Sequence, residues 1–363
     1  MNRRTALGLM SGTSADGVSL ALVAERSGRP WVLAHATYPY PAALRERILA
    51  APRSGARELC RLNFELGRVF AAAASRFLKR KAGPRVAGSH GQTIVHLPEE
   101  SLPSTLQIGE PSFLAEALGI PVVSDFRPRD MAAGGGGAPL IPFFDEVLFG
   151  AGEPTILQNI GGIANASLVG RGVRASGFDT GPGNCLIDLA ARVATGGRRT
   201  FDSGGAIARR GRPDEVRVRR LLRAPFFLRR PPKSFDRSTF GEDYLRRFLM
   251  GPGVRPEDAV ATATLLAASS IVDAWRRFLL PRARVRRAVV SGGGALNPVL
   301  MATLRRLSPV PVLSSADCGI PPLAKEPAAM AWMALLALDG KVNHCPRATG
   351  ARGPRILGKI TPC

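Results

Sequence analysis

The chain has 363 residues, 45% of them hydrophobic, with 50 basic against 28 acidic side chains and a formal net charge of +22. That length and apolar content suit two domains or one large two-lobed body and exclude a disordered chain. Lysine occurs only at 79, 81, 233, 325, 341 and 359; the remaining positive charge is arginine in short clusters such as 217–223 and 282–287. With no basic tail, zinc spacing or aromatic-rich sheet motif, a nucleic-acid partner is not expected.

The first residues, MNRRTALGLMSGTSADG, hold too few apolar positions for a signal-peptide core. Five scattered cysteines (60, 185, 318, 345, 363) form no CxxC pair and point to a reducing compartment. The longest apolar stretch, 259–272, ends at Asp273 and Arg276, too short to span a bilayer. The expectation is a cytoplasmic protein without a membrane partner.

Apolar runs at 5–10 and 17–23 predict a β-hairpin with a polar tip at 11–16. Leu59, Leu62, Leu66, Phe70, Ala73 and Phe77 recur at helical spacing. Strands are expected at 85–97, 104–109 and 120–125, and a short helix opened by proline at 111–118. The glycine run 134–137 is the expected hinge or boundary. Beyond it come strands at 155–161 and 164–169, a helix at 184–194, a long helix within 256–280, a strand at 285–291, and helices at 297–307 and 327–338. This alternation reads as α/β, with the chain dividing into 1–130 plus 341–363 and 131–340.

Five groups of residues carry chemistry. In GLMSGTSADGV (8–18), Ser11, Gly12, Thr13 and Ser14 offer hydroxyl and backbone N–H donors suited to phosphate, and Asp16 a carboxylate for a phosphate-bound metal. An ordinary Asp-Gly hairpin turn has the same composition, and no Walker lysine follows. In GFDTGPGN (177–184), Asp179 ends a strand before a tight turn that opens a helix; there a carboxylate acts as general base or merely caps the turn. NIGGIAN (159–165) and SGGGALN (291–297) allow close backbone approach to a nucleotide, and each alone is also a plain turn. Finally, SHGQT (89–93), TLQIG (105–109) and DFRPRD (125–130) set His90, Gln92, Gln107, Arg127 and Asp130 at or near strand ends, a hydrogen-bonding set suited to a carbohydrate, with Arg127 able to meet a carboxylate. Four scattered histidines make no metal cluster.

Together with GAPLIP (137–142) and the C-terminal Thr349–Ala351 and Leu357–Gly358, these stretches run in order along the whole chain and resemble the anhydro-N-acetylmuramic acid kinase family. The resemblance implies two ribonuclease-H-like lobes of the actin/hexokinase/Hsp70 type with ATP in the interlobe cleft. It implies an ATP-dependent kinase of peptidoglycan recycling. Water, activated by the base that matches Asp179, opens 1,6-anhydro-N-acetylmuramic acid, and O6 takes the γ-phosphoryl group.

It further implies Mg2+ with ATP, a homodimer, and a nucleotide site of Ser11, Gly12, Thr13, Ser14, Ala15, Asp16, Gly17, Val18, Gly161, Gly162, Gly181, Gly292, Gly293, Gly294 and Asn297. The sugar site it implies is His90, Gln92, Gln107, Arg127, Asp130 and Glu326. The chain departs from the family pattern at Ser19, Gly136, residues 235–238 and Pro327. A same-fold kinase for another sugar and a non-catalytic sugar or nucleotide sensor are the alternatives.

Overall fold

The computed structural model describes every residue except 1–3, 13–14, 82, 174–175, 232, 234 and 236, and the side chains of 176, 237 and 238. The chain forms two units, residues 1–148 with 319–363, and residues 149–318. The first unit holds strands β1 (Thr5–Ser11), β2 (Gly17–Arg26), β3 (Arg29–Pro39), β4 (Val86–Leu97), β5 (Ser104–Ile108) and β6 (Val122–Ser124). The second holds β7 (Thr155–Ile160), β8 (Ile163–Val169), β9 (Ser176–Pro182), β10 (Arg287–Ser291) and β11 (Val312–Ser314); β12 (Lys359–Thr361) closes the first. The helices used below are α1 (Ala42–Ala50), α2 (Ala56–Leu78), α3 (Ser112–Leu118), α4 (Phe126–Ala132), α5 (Ile141–Phe149), α6 (Cys185–Ala194), α7 (Pro256–Ala274), α8 (Pro298–Leu307) and α9 (Lys325–Leu338).

The sheets run β12-β6-β4-β1-β2-β3 and β11-β10-β7-β8-β9. In each, three consecutive strands pair antiparallel, and the first of them also pairs parallel with a fourth, which pairs parallel with a fifth. The same order and directions therefore occur twice, and both are ribonuclease-H-like.

Side-chain alternation along β1 explains how the first sheet is covered. Leu7 and Leu9 join the core under α1 and α2, where the helical stripe Leu62, Leu66, Phe70 and Phe77 is buried. Ala6 faces the other way, into the core built on Ala328, Ala331 and Leu335 of α9. Two strand glycines let α9 come close: a Cβ at Gly8 would lie 1.8 Å from the Pro327 carbonyl oxygen, and one at Gly88 2.3 Å from that of Met330. Pro327 itself sits in the first turn of α9, where its missing N–H breaks no helical bond. In the second unit, α6 and α7 pack Leu186, Leu266 and Ile271 against Ile156, Leu168 and Phe178. Trp275, just past α7, donates from Nε1 to Gln158 Oε1 of β7 at 2.9 Å.

Three expectations are corrected. The boundary lies at 148/149 and 318/319, not 130/131 and 340/341, because Leu140 and Phe144 pack into the core that α9 forms on the first sheet. The glycine run 134–137 is accordingly internal to the first unit, tied down by Gly136 N–H donating to Thr349 O at 2.7 Å. The strand expected at 120–125 covers only Val122–Ser124; Asp125 turns to a left-handed φ of 52° and α4 begins, so Arg127 and Asp130 sit on a helix. The strand β3 and helices α1, α4 and α5 were not expected.

Candidate functional site

The tip of the β1–β2 hairpin is braced from inside. Ser11 is buried; its Oγ lies 2.5 Å from Gln92 Oε1, to which it donates, and accepts from the Tyr40 hydroxyl at 2.8 Å. Gln92 Nε2 donates in turn to Gly12 O at 3.2 Å and Thr93 O at 3.1 Å. Burial drives the Tyr40 phenol above its ordinary range, so it remains a donor. The chain turns sharply, with Ala15 N–H donating to Gly12 O at 3.0 Å and Ala15 at φ 52°. Gly17 is required where it stands, because a Cβ there would lie 2.2 Å from Tyr38 O. Thr13 and Ser14 lie outside the described residues. Asp16 is exposed and ion-paired with Arg45 at 3.1 Å. Among the described residues no group of three His, Cys, Asp or Glu side chains is arranged to hold a metal ion.

His90, Arg127 and Glu326 come together in the first unit. Arg127 Nε donates to His90 Nε2 at 3.1 Å and its Nη1 to Gly137 O at 3.0 Å. His90 Nδ1 therefore carries the proton and donates to Gly91 O at 3.1 Å. Burial first, and the Arg127 charge second, pull the His90 pKa down to about 3, so the ring is neutral. Burial also brings Arg127 down to about 10, opposed by Glu326, and raises the Glu326 carboxyl against the pull of Lys325 and Arg127. Gln107 borders the group, donating to Thr105 Oγ1 at 2.8 Å; Thr105 also meets His96 Nδ1 at 3.0 Å. His96, held below its usual range by burial and Arg127, is a member sequence reasoning missed.

Two expected sugar ligands are instead part of the framework. Asp130 is fully buried; Oδ1 accepts from Thr349 Oγ1 at 2.7 Å and His344 Nδ1 at 3.0 Å, and Oδ2 from Gly137 N–H at 2.8 Å. It anchors the glycine run to the C-terminal segment and presents nothing outward. Gln92, 1% exposed, braces the hairpin tip as described above. Of the departures from the family pattern, Ser19 pairs with Thr37 across β2 and β3 at 2.9 Å.

In the second unit three glycine turns interlock. The carbonyls of Gly161 and Gly162 accept from the N–H groups of Asn184, Gly183 and Cys185 at 2.8, 2.9 and 3.1 Å. Gly294 packs so closely that a Cβ would lie 2.3 Å from Ile160 Cγ2. Gly292 and Gly293 stand beside Asn159 and Asn184, and Gly181 against Ser270. Asn297 is a helix cap: its Oδ1 accepts from Val299 and Leu300 N–H at the start of α8.

Asp179 lies on β9, half-buried, opposite Asn165 in the ladder. Its Oδ2 accepts from Phe235 N–H at 2.8 Å, and its own N–H donates to Lys233 O at 3.1 Å. Burial raises its pKa, opposed by the Phe235 N–H and the Lys233 charge. Lys233 is not the solvated lysine that a lone surface position would give: it is 5% exposed among phenylalanine rings.

A doubled ribonuclease-H-like fold, with a braced polar hairpin in one unit and a strand-borne carboxylate beside glycine turns in the other, defines a phosphotransferase of the actin/hexokinase/Hsp70 type. A family model described as anhydro-N-acetylmuramic acid kinase matches residues 4–363. The chain is 40% identical over 384 residues to the enzyme so named from Caldanaerobacter subterraneus subsp. tengcongensis, covering 99% of this chain and 97% of that one. It is 43% identical over 373 residues to that of Variovorax paradoxus, covering 98% of both. The chain belongs to the anhydro-N-acetylmuramic acid kinase family.

Proposed function

We propose that the chain phosphorylates 1,6-anhydro-N-acetylmuramic acid at O6 with hydrolytic opening of the anhydro ring, and that Asp179 is the base. The raised carboxyl of Asp179, held at one oxygen by a backbone N–H, carries this reading. Its Oδ1 takes the proton of a water that attacks the anomeric carbon. The C1–O6 bond breaks, and the electron pair left on O6 attacks the γ-phosphorus. ADP leaves and Asp179 gives up its proton to solvent, so the balance is sugar, water and ATP giving the 6-phosphate, ADP and a proton. Capture of O6 by phosphorus removes the need for a second carboxylic acid to protonate it.

The hairpin 11–18 and the glycine turns at 161–162, 181 and 292–294 bind the nucleotide in this reading. Mg2+ enters as part of the substrate Mg-ATP, with Asp16 the nearest acidic side chain of the hairpin; it neutralises charge on the phosphates. Arg127 has two donors engaged with His90 and Gly137 and turns its remaining edge to the sugar's lactyl carboxylate. Neutral His90 orients that guanidinium, and Gln107 and Glu326 meet hydroxyls. Among the described residues no helix is long and apolar enough to cross a membrane. With its scattered cysteines and no CxxC pair, the protein is proposed to work in the cytoplasm, in peptidoglycan recycling. A homodimer, as the family resemblance implies, is part of this reading; a molar mass of a single chain in light scattering would remove it.

A coupled ADP-release assay with Mg-ATP and the anhydro sugar tests the reaction. The expected product is heavier than the sugar by one phosphoryl group and one water. Absence of ADP, from protein that still binds ATP, moves the substrate to another sugar. ADP with a product lacking the added water removes the hydrolytic half.

A further inference from the structure

We propose that Lys233 is a positioning residue for this reaction: seated in an aromatic cage, it holds its own carbonyl and the Phe235 N–H against Asp179 and supplies positive charge to the surroundings of that carboxylate. The inference rests on the reading of Asp179 as the base.

Lys233 and Phe235 each hold Asp179 by one backbone group. Lys233 O accepts from the Asp179 N–H at 3.1 Å, and Phe235 N–H donates to Asp179 Oδ2 at 2.8 Å. The lysine side chain secures that grip. Its Nζ donates to Phe227 O at 2.9 Å and lies 4.9 Å from the Phe278 ring centroid and 5.8 Å from those of Phe178 and Phe235. Phe178 directly precedes Asp179, and Phe235 supplies the N–H to its carboxylate. Phe235 is thus both a wall of the cage and half of the grip.

Filling an aromatic cage does not require a charge. A methionine would occupy the space without the cost of desolvating an ammonium. Lys233 is one of only six lysines in a chain that otherwise uses arginine for positive charge. Its ammonium is a compact charge that the rings surround and the Phe227 carbonyl accepts from. Burial lowers its pKa to about 8; Asp273 opposes that, Arg229 and Arg277 add to it, and Asp179 opposes it. Arg277 is itself tied to Asp273 at 2.6 Å. The lysine is therefore charged at neutral pH, and it opposes the burial that raises the Asp179 carboxyl.

The test compares K233M and K233R with the unmodified chain. The Asp179 carboxyl is followed by carbon NMR across pH, its signal assigned by loss in D179N, and kcat and KM are measured over the same range. In K233M the Asp179 titration and the acid limb of kcat move up by about half to one pH unit. There kcat falls about tenfold or more, while ATP affinity by calorimetry is unchanged. In K233R the charge persists to higher pH, the Asp179 titration returns towards that of the unmodified chain, and the alkaline limb of kcat moves upward.

An unmoved Asp179 titration in folded K233M overturns the proposal. So does a folded K233R whose alkaline limb stays in place, a result that decides the matter even where K233M fails to fold. Full activity in D179N would instead remove the base assignment, while the NMR shift in K233M would still report the influence of Lys233 on that carboxylate.

Discussion

A carboxylate on a strand is common, and Asp179 lies within β9 rather than at the strand end that its sequence setting suggested; what marks it is that one oxygen is fixed by the Phe235 N–H while burial raises its affinity for a proton. Replacing it by asparagine keeps the shape and removes the basic oxygen. D179N is expected to lower kcat by roughly 10²–10⁴-fold, the range of general-base catalysis, and to leave ATP affinity nearly unaltered. Retained turnover in single-turnover kinetics would assign the base elsewhere. The motif FDTGPGN made Asp179 readable from the sequence. Its partners were not, because Lys233 and Phe235 stand over fifty residues away and reach it through one backbone N–H, one carbonyl and a set of ring contacts. A lysine kept amid arginines was the one local sign. The same limit applied to Asp130 and Gln92: both are polar residues near motifs, and only hydrogen-bond partners such as Thr349, His344 and Ser11 reveal that they face inward.

At the scale of elements, period and glycine placement decided what could be read. The helix stripe from Leu62 to Phe77 has one apolar face, and α2 forms as that face predicts. The edge strand β3 alternates in burial along its length, but Trp31 and Leu33 fall on its exposed face, so its sequence shows no apolar–polar alternation. Helix α4 follows a strand without any polar linker, since a single left-handed residue, Asp125, makes the break. Gly8 and Gly88 look incidental in sequence, yet they are the reason α9 lies directly on β1 and β4. A methyl group at Gly88 would sit 2.3 Å from the backbone oxygen of Met330, an atom fixed by its own helix. G88A is therefore expected to cost about 1–3 kcal/mol, the range for overpacking a dense core. The measurement is the urea midpoint; an unshifted midpoint would mean that α9 slides freely on the sheet. Because Gly88 lies one residue before Ser89 and two before His90, such an insertion should also weaken sugar binding before nucleotide binding.

For the molecule as a whole, the repeated strand order gives two units of one topology that carry different side chains. One unit keeps His90 neutral in its interior, and this has a consequence for global stability. The unfolded chain protonates a histidine near its ordinary pKa, whereas folded His90 takes its proton only near pH 3. Between those values the unfolded chain binds more protons, so stability is complete above the unfolded value and falls as the solution is acidified. Glu326 and Asp179, whose carboxyls are raised by burial, act in the opposite sense, losing stability as pH rises. The contribution of His90 is therefore isolated by comparison with H90Q, in which a glutamine oxygen replaces Nε2 as acceptor for Arg127 without titrating. Between pH 7 and pH 5 the unmodified chain should lose up to about 2 kcal/mol more than H90Q in urea unfolding. Parallel losses in the two proteins would mean that His90 protonates in place, and that Arg127 releases it to do so.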